Sequence, residues 1–383
     1  MLLPDANAPS LHLSHPTEEE KLATWKQNYV NWGVALSEEE YIGRERYLQT
    51  VPLNRDGGVT HWILVDKTLS PNNRAILAVC ESLCKRALVK HKGTGQVKEI
   101  ITHGIGSVFC NPQYRGRGYA SRMLRELGET LRIWQLDASI KGREECAFSV
   151  LWSDIGKKFY AGHGWHPFPS THLEFDQAPL PEGKLATGVK KLTTPDLVEL
   201  CSLDEKNIVK TLEQAPNEKT HVALIPDYDT MRWHHEREEF VTKLLFGSSP
   251  SVKGAIAGSP GSRVWAIWTR GYYGKLDDPK AVNSLYILRH VIEDESKEKE
   301  KETAENLKAV LAVAQDEANT WKCKHVQLWN PGEWVKGLVR EAGVEFRDVD
   351  RDAESIASLF WYGEGNGKVD EIDWVANEKF CWC

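Results

Sequence analysis

Apolar side chains recur at spacings of four, three, four and three through Ala120, Leu124, Leu127, Leu131 and Trp134, which predicts a helix from about Tyr119 to Gln135. The run before it, ITHGIGSVFC, ends at Cys110 just ahead of Pro112 and is rich in β-branched and aromatic residues, so it reads as a strand. Upstream, TEEEKLATWKQNYV and SEEEYIGRERYL within residues 16–48 carry helical patterns, followed by strand-like runs at His61–Val65 and Ile76–Cys84. Downstream, a strand at Cys146–Trp152 leads into a short helix near Asp154–Gly162. The stretch DQAPLPEGKLATGVKKLTT, residues 176–194, is poor in core residues and rich in Pro and Gly, and is taken as a linker between two halves. Beyond it lie strands at Arg263–Tyr272 and Ser284–Val291. A helix follows with Leu307, Val310, Leu311, Ala314, Ala318 and Trp321 on one face, then a strand at His325–Trp329 and a helix opening at Pro331.

Composition narrows the picture. A chain of 383 residues is longer than one typical domain, and 41% hydrophobic content with fifteen tryptophans provides for substantial cores. The net charge of −7 argues against a nucleic-acid partner, which needs a broad basic surface. No run of eighteen apolar residues is present, and MLLPDANAPS lacks the regions of a secretory signal, so no membrane association is expected. Eight scattered cysteines without a CxxC pair predict reduced thiols in a cytoplasmic protein rather than a metal or disulfide framework. The adjacent His234 and His235 lack the i, i+4 spacing of a zinc helix, and no metal is expected.

The chemistry concentrates in NPQYRGRGYASRML, Asn111–Leu124. A strand, a glycine-rich turn and a helix start make an anion seat, because the first turn of a helix leaves backbone N–H groups without partners and glycine lets a phosphate approach them. Arg115 and Arg117 add positive charge, although an arginine in such a turn can equally be solvated.

Arg115-x-x-Gly118-x-Ala120 resembles the R/Q-x-x-G-x-G/A signature of the GCN5-related N-acetyltransferases, and SDIGKKFYAGHGW matches that family's second motif through Ser153, Gly156, Tyr160, Gly164 and Trp165. Asn is more usual where Ser153 stands and Ala where Gly156 stands. The resemblance covers roughly residues 1–175. It implies acetyl-CoA as cosubstrate and a mixed sheet, splayed between two strands and flanked by helices. It further implies Val108, Phe109 and Cys110 along the pantetheine arm, and the pyrophosphate over the amides of Gly116, Arg117, Gly118, Tyr119 and Ala120 with Ser121 close by. Ser153 would contact the cosubstrate, and Tyr160 would protonate the departing thiolate; a packed core Tyr is the plainer alternative. A longer resemblance, through AVCESLCKRALV, FSVLWSDIGKKFYAGHGWHPF, ALIPDYDTMRWHHEREEF and the terminal NEKFCWC, is to fungal lysine N6-acetyltransferases of lysine breakdown. That implies a small-molecule partner, L-lysine, acetylated on its side-chain amine by direct attack in a ternary complex. Another small amine, a protein N-terminus, or a non-catalytic acetyl-CoA-binding module are the alternatives.

A lysine amine, with a reference pKa of about 10.4, arrives charged and must lose a proton before it attacks. Glu81 and His103, near the expected splay, are the candidate bases, and each could instead be a satisfied polar residue. The segment DYDTMRWHHEREE gathers both charges beside Tyr228 and Trp233, so Asp227, Arg232 and His234 are candidate substrate contacts; an ordinary charged helix is the competing reading. The second half repeats a strand–helix–strand–helix order, but EDESKEKEKE stands where the phosphate turn would be. The expected architecture is therefore α/β: an acetyl-CoA-binding domain over 1–175, a linker over 176–194, and over 195–383 a degenerate domain of the same type that shapes the substrate end, with an unrelated α/β domain as the alternative for this second half.

Overall fold

The computed structural model describes residues 3–180 and 183–382. In chain order the first elements are β1 (Leu11–Ser14), α1 (Glu18–Trp32), α2 (Glu38–Leu48), β2 (Val59–Asp66), β3 (Ala78–Lys90), β4 (Val97–Phe109), α3 (Tyr119–Leu131), β5 (Cys146–Ser153), α4 (Lys158–Ala161) and β6 (His166–Pro167). Next come β7 (Thr171–Asp176), β8 (Val189–Leu192), α5 (Thr194–Gln214), β9 (Thr220–Leu224), α6 (Tyr228–Phe246), β10 (Gly254–Ala257), β11 (Val264–Gly271) and β12 (Ser284–Ile292). The chain continues through α7 (Glu300–Thr320), β13 (His325–Trp329), α8 (Glu333–Glu341), β14 (Arg347–Asp350), β15 (Ile356–Trp361) and β16 (Ile372–Trp374).

Local chemistry sets several of these boundaries. α1 and α2 each open on a capping box, Thr17 with Glu20 and Ser37 with Glu40, in which side chain and backbone satisfy each other's unpaired groups. α3 buries Tyr119, Met123, Leu124, Leu127 and Leu131 against the sheet, the stripe its periodicity predicts. α6 begins at Asp227, whose carboxylate accepts from the Thr230 amide, and ends at Gly247 in the left-handed region.

Two mixed sheets organise the molecule. The first runs β1-β2-β3-β4-β5-β15-β6, with β9 also on β3 and β16 on β9; the second runs β14-β7-β13-β12-β11-β10-β8. Parallel pairs stand among antiparallel neighbours in both: β4 with β5 and β9 with β16 in the first sheet, and β12 with β13 in the second. The succession β3, β4, α3, β5, α4 is matched by β11, β12, α7, β13, α8. Strands from both sides of the 176–194 segment enter each sheet: β7 joins the second, and β9, β15 and β16 join the first. Residues 183–188 of that segment are exposed, and its end forms β8. One core cluster takes Phe148 and Val150 from the first sheet together with Trp265, Leu288 and Trp329 from the second, so the halves share an interior. Among the described residues no helix is long and apolar enough to cross a membrane.

Candidate active site

The first sheet opens at a defined place. The β3–β4 ladder holds register from Lys90 opposite Val97 to Glu81 opposite Gly106, then shifts so that Val79 faces Phe109. Ser107 and Val108 thus stand against Cys80 alone, a β-bulge, and Ser107 adopts φ 52° to make it. On the other side, β4 pairs with β5 only as far as Ile105 opposite Leu151, while β5 continues to Ser153 along β15. From Gly106 to Phe109 the β4 edge facing β5 has no strand partner among the described residues, and Val108 and Phe109 lie on this open stretch.

After Cys110 the chain turns through Pro112–Tyr114 and reaches Gly116 (φ 74°) and Gly118 (φ 84°), conformations that side chains with a Cβ rarely adopt. Gly118 is the N-cap of α3, and no side chain caps the helix. Gly116, Arg117 and Gly118 are exposed, and nothing lies within 4 Å of where a Gly116 Cβ would be. The open turn and uncapped helix start fit a pyrophosphate. Arg115 folds back, its Nε donating to the Cys110 carbonyl at 2.9 Å and its guanidinium 5.6 Å from the Phe109 ring. Tyr119 is buried with its hydroxyl on the Pro4 carbonyl, so its backbone rather than its side chain is left for a ligand. Ala120 and Ser121 are half-buried at the same turn.

The turn after β5 is stitched by Ser153, which donates to the Gly156 carbonyl at 2.7 Å and accepts from the Ile155 amide at 3.2 Å. Its hydroxyl is therefore engaged within the chain. Tyr160 follows on α4, in the cluster that also holds Cys80, Ile105 and Leu151. Its side chain is 8% exposed, yet its hydroxyl has no hydrogen-bond partner among the described residues. Burial raises its pKa above that of an ordinary phenol, so it stays protonated at neutral pH and can only donate.

Glu81 stands at the bulge. Ser107 Oγ donates to its Oε1 at 2.8 Å, and His61 Nδ1 is 3.6 Å from its Oε2. Burial pushes the carboxyl up to about 7, helped by the Glu45 charge and opposed by Ser107, Arg44 and Arg237. Burial holds His61 down at about 4, which leaves it neutral beside Glu81. A narrow pocket reaches Glu81 between Glu45 of α2 and Trp233 of α6. His103 lies elsewhere: it is opposite Cys84 on the α3 face of the sheet, fully buried, with Nε2 3.2 Å from the Trp134 carbonyl. Glu81 alternates with Cys80 and Ser82, which pack toward α3 and Trp62, so it projects from the opposite face.

The three candidate substrate residues on α6 are not brought together. Asp227 caps the helix and lies 3.7 Å from Arg86. Arg232 pairs with Glu236 at 2.9 Å, and buried His234 contacts the Phe380 carbonyl at 3.2 Å through Nε2. The α6 residue that lines the Glu81 pocket is Trp233. Ser107, His61 and Arg237 enter the site without a signal in the local sequence pattern. Among the described residues no group of His, Cys, Asp and Glu could hold a metal.

A mixed sheet opened beside a bulge, with a glycine turn leading into a helix, is the fold of the GCN5-related N-acetyltransferases, and a structure from that group in Kribbella flavida matches with TM-score 0.50 at 15% identity over 91% of this chain and 70% of its own. More particularly, the chain belongs to the family defined by the LYC1 GNAT-like C-terminal domain, which matches residues 172–383. It is 25% identical to a protein named lysine acetyltransferase from Yarrowia lipolytica, across 93% of this chain and 95% of that one. An uncharacterized protein of Saccharomyces cerevisiae is 23% identical across 95% of each. The S. cerevisiae N-myristoyltransferase, solved with bound myristoyl-CoA, matches with TM-score 0.53 at 12% identity over 94% of this chain and 81% of that enzyme.

Proposed function

We propose that this protein transfers acetyl from acetyl-CoA to the side-chain amine of free L-lysine, by direct attack in a ternary complex. The observation that carries the reading is Glu81, a carboxyl with a pKa of about 7 set at the bulge beside the open edge of β4. A base of that strength is matched to neutral pH, where it is substantially ionised and still basic enough to take a proton. The name of the Yarrowia lipolytica relative supports lysine as the amine.

Bound in the splay, acetyl-CoA supplies a thioester whose carbonyl carbon accepts the amine. Its pyrophosphate would be held by the amides from Gly116 to Ala120, with Arg117 free to add charge, and its pantetheine arm by the backbone from Gly106 to Cys110. Glu81 receives the proton of the substrate ammonium, directly or through a water, and frees the nitrogen lone pair. The amine bonds to the acyl carbon, and as the C–S bond breaks the Tyr160 hydroxyl gives its proton to sulfur; the nitrogen sheds its second proton, directly or through water, to restore the phenol and leave a neutral amide. Ser107 orients the Glu81 carboxylate throughout. All seven described cysteines are free thiols, in keeping with a place in the cytoplasm, and a role in lysine breakdown is part of the same proposal.

The test is CoA release from acetyl-CoA across a panel of L-lysine, L-ornithine, spermidine, cadaverine and a peptide with a free N-terminus. Lysine is expected to give the highest kcat/KM, with N6-acetyl-lysine as product by mass spectrometry. Release with no amine in the panel, or with every amine alike, would overturn the assignment.

A further inference from the structure

Close enough to Glu81 for its field to act there stands an arginine with no hydrogen bond or ion pair among the described residues. One turn along α6 from Trp233, on the same face, stands Arg237. Its guanidinium lies 5.8 Å from the Tyr273 ring and 5.6 Å from the Trp382 ring, and it makes no hydrogen bond or ion pair with any described residue. The other arginines around it are matched: Arg44 with Glu45 at 2.5 Å, Arg232 with Glu236, and Arg270 with Glu238 and Glu317. Burial and the nearby Arg44 disfavour the charged form of Arg237 and outweigh the opposing influence of Tyr273, Glu45 and Tyr41, and its field reaches Glu81.

A half-buried guanidinium set beside aromatic rings is costly unless an anion completes it. Its planar fork suits a carboxylate, which it can bind through two parallel hydrogen bonds. The amine end of a substrate must reach Glu81, while the Trp233, Tyr273 and Trp382 rings offer apolar surface to a methylene stem.

From these placements we infer that Arg237 is the seat for a carboxylate of the amine substrate, so that the protein selects a small ω-amino acid over a polyamine or a peptide amine. This rests on the proposed amine acetylation and adds the group that fixes its specificity. A site built for a charged group rejects an analogue that lacks it, because the guanidinium is then left unpaired.

The experiment compares L-lysine, 6-aminohexanoate (no α-amine) and cadaverine (no carboxylate) with the full chain and with Arg237→Gln and Arg237→Lys. For the unaltered protein, kcat/KM for the two carboxylates is expected to exceed that for cadaverine by at least about tenfold. Arg237→Gln is expected to lower it for both carboxylates by roughly 10- to 1,000-fold, chiefly through KM, and so to collapse the preference, with partial recovery in Arg237→Lys. A Gln variant that keeps the preference overturns the assignment. So does one that loses acetyl-CoA affinity instead, which would place the guanidinium on the cosubstrate's phosphates. Calorimetric binding of 6-aminohexanoate separates the two levels: Arg237-dependent binding without CoA release would sink the acetyltransferase reading alone. Cadaverine acetylated as efficiently as lysine would sink only the carboxylate seat.

Discussion

Ser107 donates a hydrogen bond of 2.8 Å to the Oε1 of Glu81, and it does so from a backbone conformation, φ 52°, that only the bulge in β4 requires. The distortion that parts β4 from β5 is the same one that orients the carboxylate. Opening the sheet and positioning the base are thus a single structural event.

Glu81→Gln removes the proton acceptor and keeps the shape. A lost general base typically costs about 10²- to 10⁴-fold in rate. In the unaltered protein Glu81 must be ionised to act, so kcat/KM is expected to rise with pH through about 7. Ser107→Ala removes a bond that favours the ionised form, so this limb moves to higher pH, by about one unit. A pH–rate profile of Ser107→Ala that superimposes on the original would exclude Glu81 as the group titrating there.

Tyr160→Phe tests the proton donor. The hydroxyl has no hydrogen-bond partner among the described residues, so its removal is expected to change thermal stability little. The rate should fall by about 10²-fold or more while acetyl-CoA affinity holds. Steady-state kinetics and thermal unfolding on one preparation read both quantities, and an undiminished kcat would remove Tyr160 from the chemistry.

Gly118→Val challenges the phosphate turn. Gly118 sits at φ 84°, and a Cβ there would come 3.2 Å from the Ala6 side chain, so a β-branched residue strains the backbone as well as crowding the helix start. Acetyl-CoA binding is expected to fall by at least about 100-fold in calorimetry, as the amides lose their alignment. A folded Gly118→Val protein with unchanged affinity would place the pyrophosphate elsewhere.

Acid should loosen the packing of the Glu378 segment on β12. Burial works to raise the Glu378 pKa but is outweighed by Arg289 and His290, and the carboxyl falls to about 2. A carboxyl depressed in the folded state contributes stability above its unfolded pKa, about 4.3, and loses it as pH falls toward 2. Its share is roughly 3 kcal/mol. In Glu378→Gln, unfolding free energy measured by urea titration between pH 5 and pH 3 should depend less steeply on pH. An unaltered slope would assign the acid lability to other carboxylates, such as Glu20, which Arg74 likewise holds at about 2.

Much of this was legible from local pattern. The β4 strand, the glycine turn, α3, β5 and the helix with Tyr160 lie where periodicity and motif spacing put them, because each is set by residues close in sequence. Glu81 stood out as an acid in an apolar run. What local pattern could not show was which face of the sheet each base candidate takes, since pairing Cys84 with His103 is a matter of register across strands. The same holds for α6, whose charged sequence gives no hint that Trp233 lines the Glu81 pocket while Asp227 lies against Arg86 and Arg232 pairs with Glu236. α5 had a signal, a Thr193–Asp196 capping pair with Leu197, Leu200, Ile208 and Leu212 on one side, but it follows the Pro- and Gly-rich stretch and reads as its continuation.

The strand β15 lies between β5 and β6, although about two hundred residues of chain separate it from either. During synthesis the first half therefore leaves the ribosome with one edge of β5 unpaired, and it stays so until about two hundred further residues have emerged. Contacts of such long sequence separation slow folding and prolong the exposure of an adhesive strand edge. For this protein closing the first sheet is a late event, in which a strand made about two hundred residues downstream fills the place beside β5.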